Sequence, residues 1–123
     1  MTYTKIKNLY DTLNSNSSLT SLTDINVGWK TEDISYPSLN IIQAGGSQTG
    51  LLGYNTGNLI DETFTVQINI YSRNSLMEAY NILDVLDEIM ISSGYQKTSD
   101  IDMYEDELDA HRKTTRWSYQ TID

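Results

Sequence analysis

The sequence predicts an α+β domain, a mostly antiparallel β-sheet with two helices packed on one face. Three observations carry this. Residues 75–93 hold a helical stripe, in which Ala79, Ile82, Leu83, Leu86, Ile89 and Met90 recur at the 3.6-residue period. Residues 62–72 alternate instead: Phe64, Val66, Ile68 and Ile70 interleave with Thr65, Gln67, Asn69 and Tyr71, the period of a strand with one covered face. Along the chain these periods follow the order helix, strand, strand, strand, helix, strand, strand, which suits an antiparallel sheet with its helices on one side. At 123 residues the chain is read as a single domain, 1–123, long enough to bury its own core.

The first helix covers residues 2–13, with Ile6, Leu9, Tyr10 and Leu13 on one face and Thr2 or Thr4 as its cap. The run Asn14-Ser15-Asn16-Ser17-Ser18 ends it, and Leu19 and Leu22 then form either one more turn or a loop pinned by two leucines. Ile25, Val27 and Trp29 alternate as a short strand. Pro37, the single proline, holds Tyr36 extended and leads into a strand over Leu39–Ile42. Residues 43–60 contain five of the seven glycines and read as a flexible connection or as a hairpin arm with frayed strands. Ser75 and Glu78 form a capping box at the start of the second helix, and Gly94 is its C′ residue. That helix covers the apolar face of the 62–72 strand. Tyr95 anchors the start of a further strand. The last strand, about 111–121, places Thr115, Trp117, Tyr119 and Thr121 on one face.

Charge excludes several function classes. Eight Lys and Arg against seventeen Asp and Glu leave a net −9, unsuited to a duplex-binding protein or to adsorption on anionic lipid. The absence of cysteine excludes disulfides and thiolate metal sites. No apolar stretch is long enough for a membrane-spanning helix, and Met1–Leu13 lacks the apolar run of a secretory signal. Nine tyrosines against one phenylalanine suit interfaces with one wet edge.

No motif carries catalysis. Asp100, Asp102, Glu105, Asp106, Glu107 and Asp109 crowd one stretch, but read as a calcium loop from Asp100 they put Tyr104 at position 5, Glu105 at position 6 and His111 at position 12, where ligands or glycine are required. The stretch is therefore expected to pair across strands with the following Arg112, Lys113 and Arg116, or to form a solvated face. His111 is the single histidine and has no nucleophile elbow to serve. Gly45–Gly50 resembles a phosphate loop only superficially, since Leu51 stands where a lysine is required. Trp117 and Tyr119 beside the three basic residues are read as core aromatics rather than a single-strand platform, and Met77, Met90 and Met103 as core filler. No metal or other cofactor is expected.

The order of elements carries a resemblance. An L-Y-D-x-L helix (Leu9, Tyr10, Asp11, Leu13) is followed by a Tyr36-Pro37 entry into Leu39–Ile42. A glycine-rich segment then precedes F-T-V-Q-I-N-I-Y-S (Phe64–Ser72). A Ser-capped helix with Ala79, Ile82 and Leu86 ends at Gly94, and a charged segment runs into a strand with Trp117 and Tyr119. Over residues 5–121 this layout resembles the tail terminator (tail completion, tail-to-head joining) proteins of long-tailed bacteriophages. The resemblance implies a non-enzymatic virion assembly protein, made in the host cytoplasm and located at the head-proximal end of the tail. It implies a homo-oligomer, usually a hexameric ring, which caps the major tail tube protein, stops its polymerisation and meets the head-connector stopper protein. Genome DNA passes through without specific binding, and no membrane is involved. Gly45, Gly46, Gly50, Leu51, Leu52 and Tyr54 would belong to an assembly loop, and Asp100, Asp102, Glu105, Asp106, Glu107 and Asp109 to an acidic lumen or partner surface. Another neck or head–tail connector protein, or an acidic binding or inhibitor module, are the alternative readings.

Overall fold

The structure is a computed structural model and describes residues 2–28, 36–48, 61–106 and 108–122. Helix α1 (Thr2–Asn14) and the short α2 (Ser17–Thr20) precede β1 (Asp24–Val27), β2 (Ser38–Gln48) and β3 (Asp61–Ser72). Helix α3 (Leu76–Ser92) then leads to β4 (Gln96–Glu105) and β5 (Ala110–Ile122). The strands form one sheet in the order β1-β2-β3-β5-β4. β1 runs parallel to β2, and every other pairing is antiparallel. The α+β class expected from the sequence is the class observed, with α2 as a third, short helix.

Local chemistry explains the boundaries. The Oδ1 of Asn16 accepts the backbone N–H groups of Ser18 and Leu19 at 3.0 and 3.3 Å, so the polar run that stops α1 also caps α2. Leu19 is fully buried, whereas Leu22 is 40% exposed, so one leucine of the two pins this turn. At α3 the box is half formed. Ser75 Oγ accepts the Glu78 N–H at 3.2 Å, but the Glu78 carboxylate turns to Ser72 Oγ at 2.6 Å and Asn74 Nδ2 at 3.0 Å. The Ser75 N–H donates to Ser72 Oγ instead, tying the end of β3 to the start of α3. At the other end, Tyr95 N–H bonds Met90 C=O and Gly94 N–H bonds Ile91 C=O, a Schellman closure with Gly94 at φ +95°.

The three helices share one face of the sheet with a single core. Leu9, Leu13 and Leu19 of the first two helices and Ile82, Leu86 and Met90 of α3 join Leu39, Ile41, Phe64, Val66, Ile68, Ile70 and Trp117 of the sheet in one buried cluster. Side-chain parity makes this possible. Leu39↔Ile70, Ile41↔Ile68 and Val66↔Trp117 are cross-strand partners, so the apolar sets of three strands fall in register. Each fully buried aliphatic side chain of this set stabilises the fold by about 1.5–3 kcal/mol relative to exposure. The sequence reading of the methionines needs correction: Met90 is buried, but Met77 and Met103 are 69% and 44% exposed, because both lie out of phase with the buried stripes of their elements.

Candidate functional site

Two groups of polar residues stand out, one on each face of the β5–β4 side of the sheet. On the helix face, Lys113 continues the parity of Thr115 and Trp117 and is only 4% exposed. Strand register sets it opposite Asp102. Its Nζ contacts Asp102 Oδ1 at 2.7 Å and is also ion-paired with Asp100. It lies over the Tyr80 ring at 4.5 Å, and the Tyr80 hydroxyl donates to Asp102 Oδ2 at 2.7 Å. Lys97 repeats the arrangement one step along, with Asp87 of α3 at 3.0 Å and Asp100 at 3.1 Å.

These contacts set the protonation of the group. Burial alone would lower Lys113 and Lys97, but hydrogen bonds and charge from their carboxylates outweigh it and raise both above the ordinary lysine value. Burial alone would raise Asp100, and the bonds from Lys113 and Lys97 reverse that and lower it. Asp102 is lowered, first by Lys113 and then by Tyr80. The cluster is thus ionised throughout the neutral range. It fastens the edge strand β4 to the sheet and to α3, and offers no group poised to exchange a proton at neutral pH.

The acidic stretch is therefore divided. Asp100 and Asp102 face the helices, and Glu105 lies on the opposite face, where it pairs with Arg112 at 3.0 Å. Asp106 and Asp109 lie in the β4–β5 turn, where Asp109 has φ 50° and accepts a hydrogen bond from the Tyr104 hydroxyl. That bond, more than any desolvation, raises the Tyr104 phenol. His111 meets the Tyr104 ring edge-on at 5.2 Å. Glu107 lies outside the described residues. Cross-strand pairing of the acidic stretch with the following basic residues, expected from the sequence, is present for Asp100, Asp102 and Glu105 with Lys113 and Arg112, whereas Arg116 has no ion-pair partner among the described residues.

Of the six assembly-loop residues, Gly45 and Gly46 belong to β2, opposite Thr65 and Phe64 of β3. The glycine-rich segment thus begins as the outer part of a hairpin. Gly50, Leu51, Leu52 and Tyr54 lie outside the described residues.

The opposite face of the sheet carries no helix among the described residues. Asn26, Asn40, Asn69, Thr114 and Ile101 form one row across all five strands. Asn26 Nδ2 donates to Ser38 Oγ, which donates to Asn40 Oδ1, at 3.0 and 3.1 Å. Asn69 and Thr114 are buried, yet among the described residues Asn69 Nδ2 and Thr114 Oγ1 have no hydrogen-bond partner, and neither has Arg112 Nε beside them. An open groove runs over this part of the face, lined by Gln67, Ser99, Ile101, Thr114 and Arg116. Ile101 is 51% exposed. Sequence reasoning overlooked this face. The available signal was the parity of β5, which sets Arg112, Thr114 and Arg116 opposite to the Trp117 side.

A second cleft lies between α1, the end of α3 and β5, lined by Lys5, Asn8, Leu9, Phe64, Tyr95 and Tyr119 among others. Burial, with a smaller effect of Tyr119, pushes the Tyr95 phenol up to about 12, so it stays protonated at neutral pH. Among the described residues no group of three or more acidic or histidine side chains is placed to hold a metal ion, and no helix is long and apolar enough to cross a membrane.

No known family model matches the sequence, and no curated protein matches it. Among solved structures, the fold is similar to a chain from the virion of a native gene transfer agent (GTA) particle. The TM-score is 0.70 at 8% sequence identity, and the match covers 94% of this chain and 92% of that one. At that identity the likeness establishes a shared fold, extending over nearly the whole of both chains.

Proposed function

We propose that this protein is a structural, non-enzymatic subunit of a phage-like virion, and within that class a tail terminator. The observation that carries the proposal is the end-to-end fold likeness to a virion chain, which joins the layout resemblance of residues 5–121 to tail terminators. Neither rests on a single motif. The ionised, mutually satisfied Lys113 cluster adds support, because it holds an edge strand and prepares no substrate site.

In this reading copies of the chain close into a ring, with six the number the resemblance implies. The ring caps the tail tube, ends its growth and presents its other side to the head connector. The hairpin that begins at Gly45 and Gly46, with Leu51, Leu52 and Tyr54 in its connection, reaches a neighbouring subunit or the tube. A net charge of −9 per subunit suits a ring through which DNA passes without being held.

Deleting the gene in a particle-producing host tests the reading. Electron microscopy should find heads and tails that fail to join, with tails of uncontrolled length. Particles of normal length and normal attachment would overturn it, and joined particles with another defect would move the chain to a different place in the virion.

A further inference from the structure

We infer that the helix-free face around Arg116 docks the outer face of α3 from a second copy of the same chain, head to tail. The inference rests on the reading of the chain as a repeated subunit and names the surfaces that mate.

The receiving surface is incomplete in the isolated protomer. Arg116 is exposed and has no ion-pair partner among the described residues, in a chain with a net charge of −9. Beside it, Thr114 lines the groove with its Oγ1 unpaired among the described residues. An unpaired polar atom is costly, so polar groups brought to this groove by a neighbour suit it better than a purely apolar cover. Ile101, diagonal to Arg116 across β4 and β5, adds an exposed apolar element, and Met103 follows two residues on. Of the described charges on this part of the face, Arg112 is neutralised by Glu105, which leaves Arg116 as the excess.

The outer stripe of α3 has the matching pattern. Asp84 and Glu88 are exposed, one turn apart, and without an ion-pair partner among the described residues. Ile91, a further turn along the same stripe, is 65% exposed. Two acids followed by an isoleucine on the helix thus match a cation followed by an isoleucine and a methionine on the sheet. Neither surface suits its own copy: α3 against α3 sets acid on acid, and the open sheet face against itself sets Arg116 near Arg116. A contact between unlike surfaces is heterologous, and repeated with a closing rotation it generates a ring.

Charge reversal tests this in sedimentation velocity on the full chain at low and moderate salt. Arg116→Glu alone, or Asp84→Lys with Glu88→Lys alone, should weaken self-association on the order of 30-fold or more. All three sites are exposed, so in dilute solution, where parent and variants alike are monomeric, their thermal melts should coincide. Mixing the two variants should restore assembly, because each interface then pairs opposite charges again in alternation around the ring. A ring that withstands Arg116→Glu, or a mixture that stays dissociated, would overturn the assignment of surfaces and leave the ring itself standing. A parent protein that stays monomeric at every concentration and salt would overturn both the assignment and the ring.

Discussion

The two faces of this sheet differ in what they leave unfinished. On the helix face, the strand side chains from β2 to β5 are packed or paired, and the one orphan among the described residues there is Asp87 Oδ1 of α3. Aliphatic residues pack under α1 and α3, and where the apolar supply ends toward β4, Lys113 and Lys97 are held by Asp87, Asp100 and Asp102. Even the indole N–H of Trp117 donates to Thr115 Oγ1, at 2.9 Å. On the helix-free face, the row of Asn and Thr side chains stops short of full hydrogen bonding, and Arg116 stands without a counter-ion among the described residues. The same strands thus stabilise the protomer with one set of side chains and present an uncompleted surface with the other.

The sharpest way to break this comparison is to mutate neighbours on β5 that point in opposite directions. Trp117→Ala removes a fully buried side chain and should cost about 3–5 kcal/mol in urea unfolding. Arg116→Ala, one residue away, should change stability by less than about 0.5 kcal/mol when both proteins are unfolded as dilute monomers. Similar losses at both sites would erase the distinction between the faces.

Lys113→Ala comes next. It leaves Asp100 and Asp102 facing each other without their shared cation, at a predicted cost of about 2–3 kcal/mol; this lies below a fully buried pair because both carboxylates keep contact with water. The same cluster sets the pH dependence. Asp100 and Asp102 are lowered in the folded protein, so their contribution is present above the ordinary aspartate value and is lost as pH falls through the folded value. Lys113 and Lys97 are raised, so theirs is present below the ordinary lysine value and is lost as pH rises through the folded one. Stability measured against pH should therefore be level in the neutral range and fall below about pH 4 and above about pH 10.5. In Lys113→Ala the acid limb should flatten.

Smaller effects are expected at the ends of α3. Gly94→Ala forces a side chain into φ +95° and brings its Cβ to 3.0 Å from Tyr119, for a loss of about 1–2 kcal/mol. Ser75→Ala removes the acceptor for the Glu78 N–H and should cost about 1 kcal/mol, read by thermal unfolding.

How much of this was legible in the sequence depended on the range of the interaction concerned. The α3 stripe and the alternation of β3 are local periodicities, and both elements end within a residue or two of the bounds those periods indicate. Pairing of the acidic stretch with Arg112 and Lys113 was legible too, because the two runs adjoin in the chain and a hairpin brings them together. Parity on β5 carries further information. A lysine in phase with Thr115 and Trp117 must enter the helix face, and it then requires acids opposite.

Other features depended on contacts between distant segments. The parallel pairing of β1 with β2 joins strands whose short, proline-punctuated spacing reads equally well as a hairpin. Glu78 completes a motif in sequence, yet Ser72 and Asn74 compete for its carboxylate once β3 ends beside α3. The open groove is a property of strand order, since Gln67, Ser99 and Arg116 become neighbours only when β5 inserts between β3 and β4.

The central claim is that the uncompleted face belongs to a contact between copies. Its most direct test is the molar mass of the purified full chain beside that of Arg116→Glu, measured by light scattering across a concentration series. The account predicts a closed assembly for the parent, with six copies of 14.0 kDa giving about 84 kDa, and dissociation of the variant. A single species of 14.0 kDa at every concentration would contradict it.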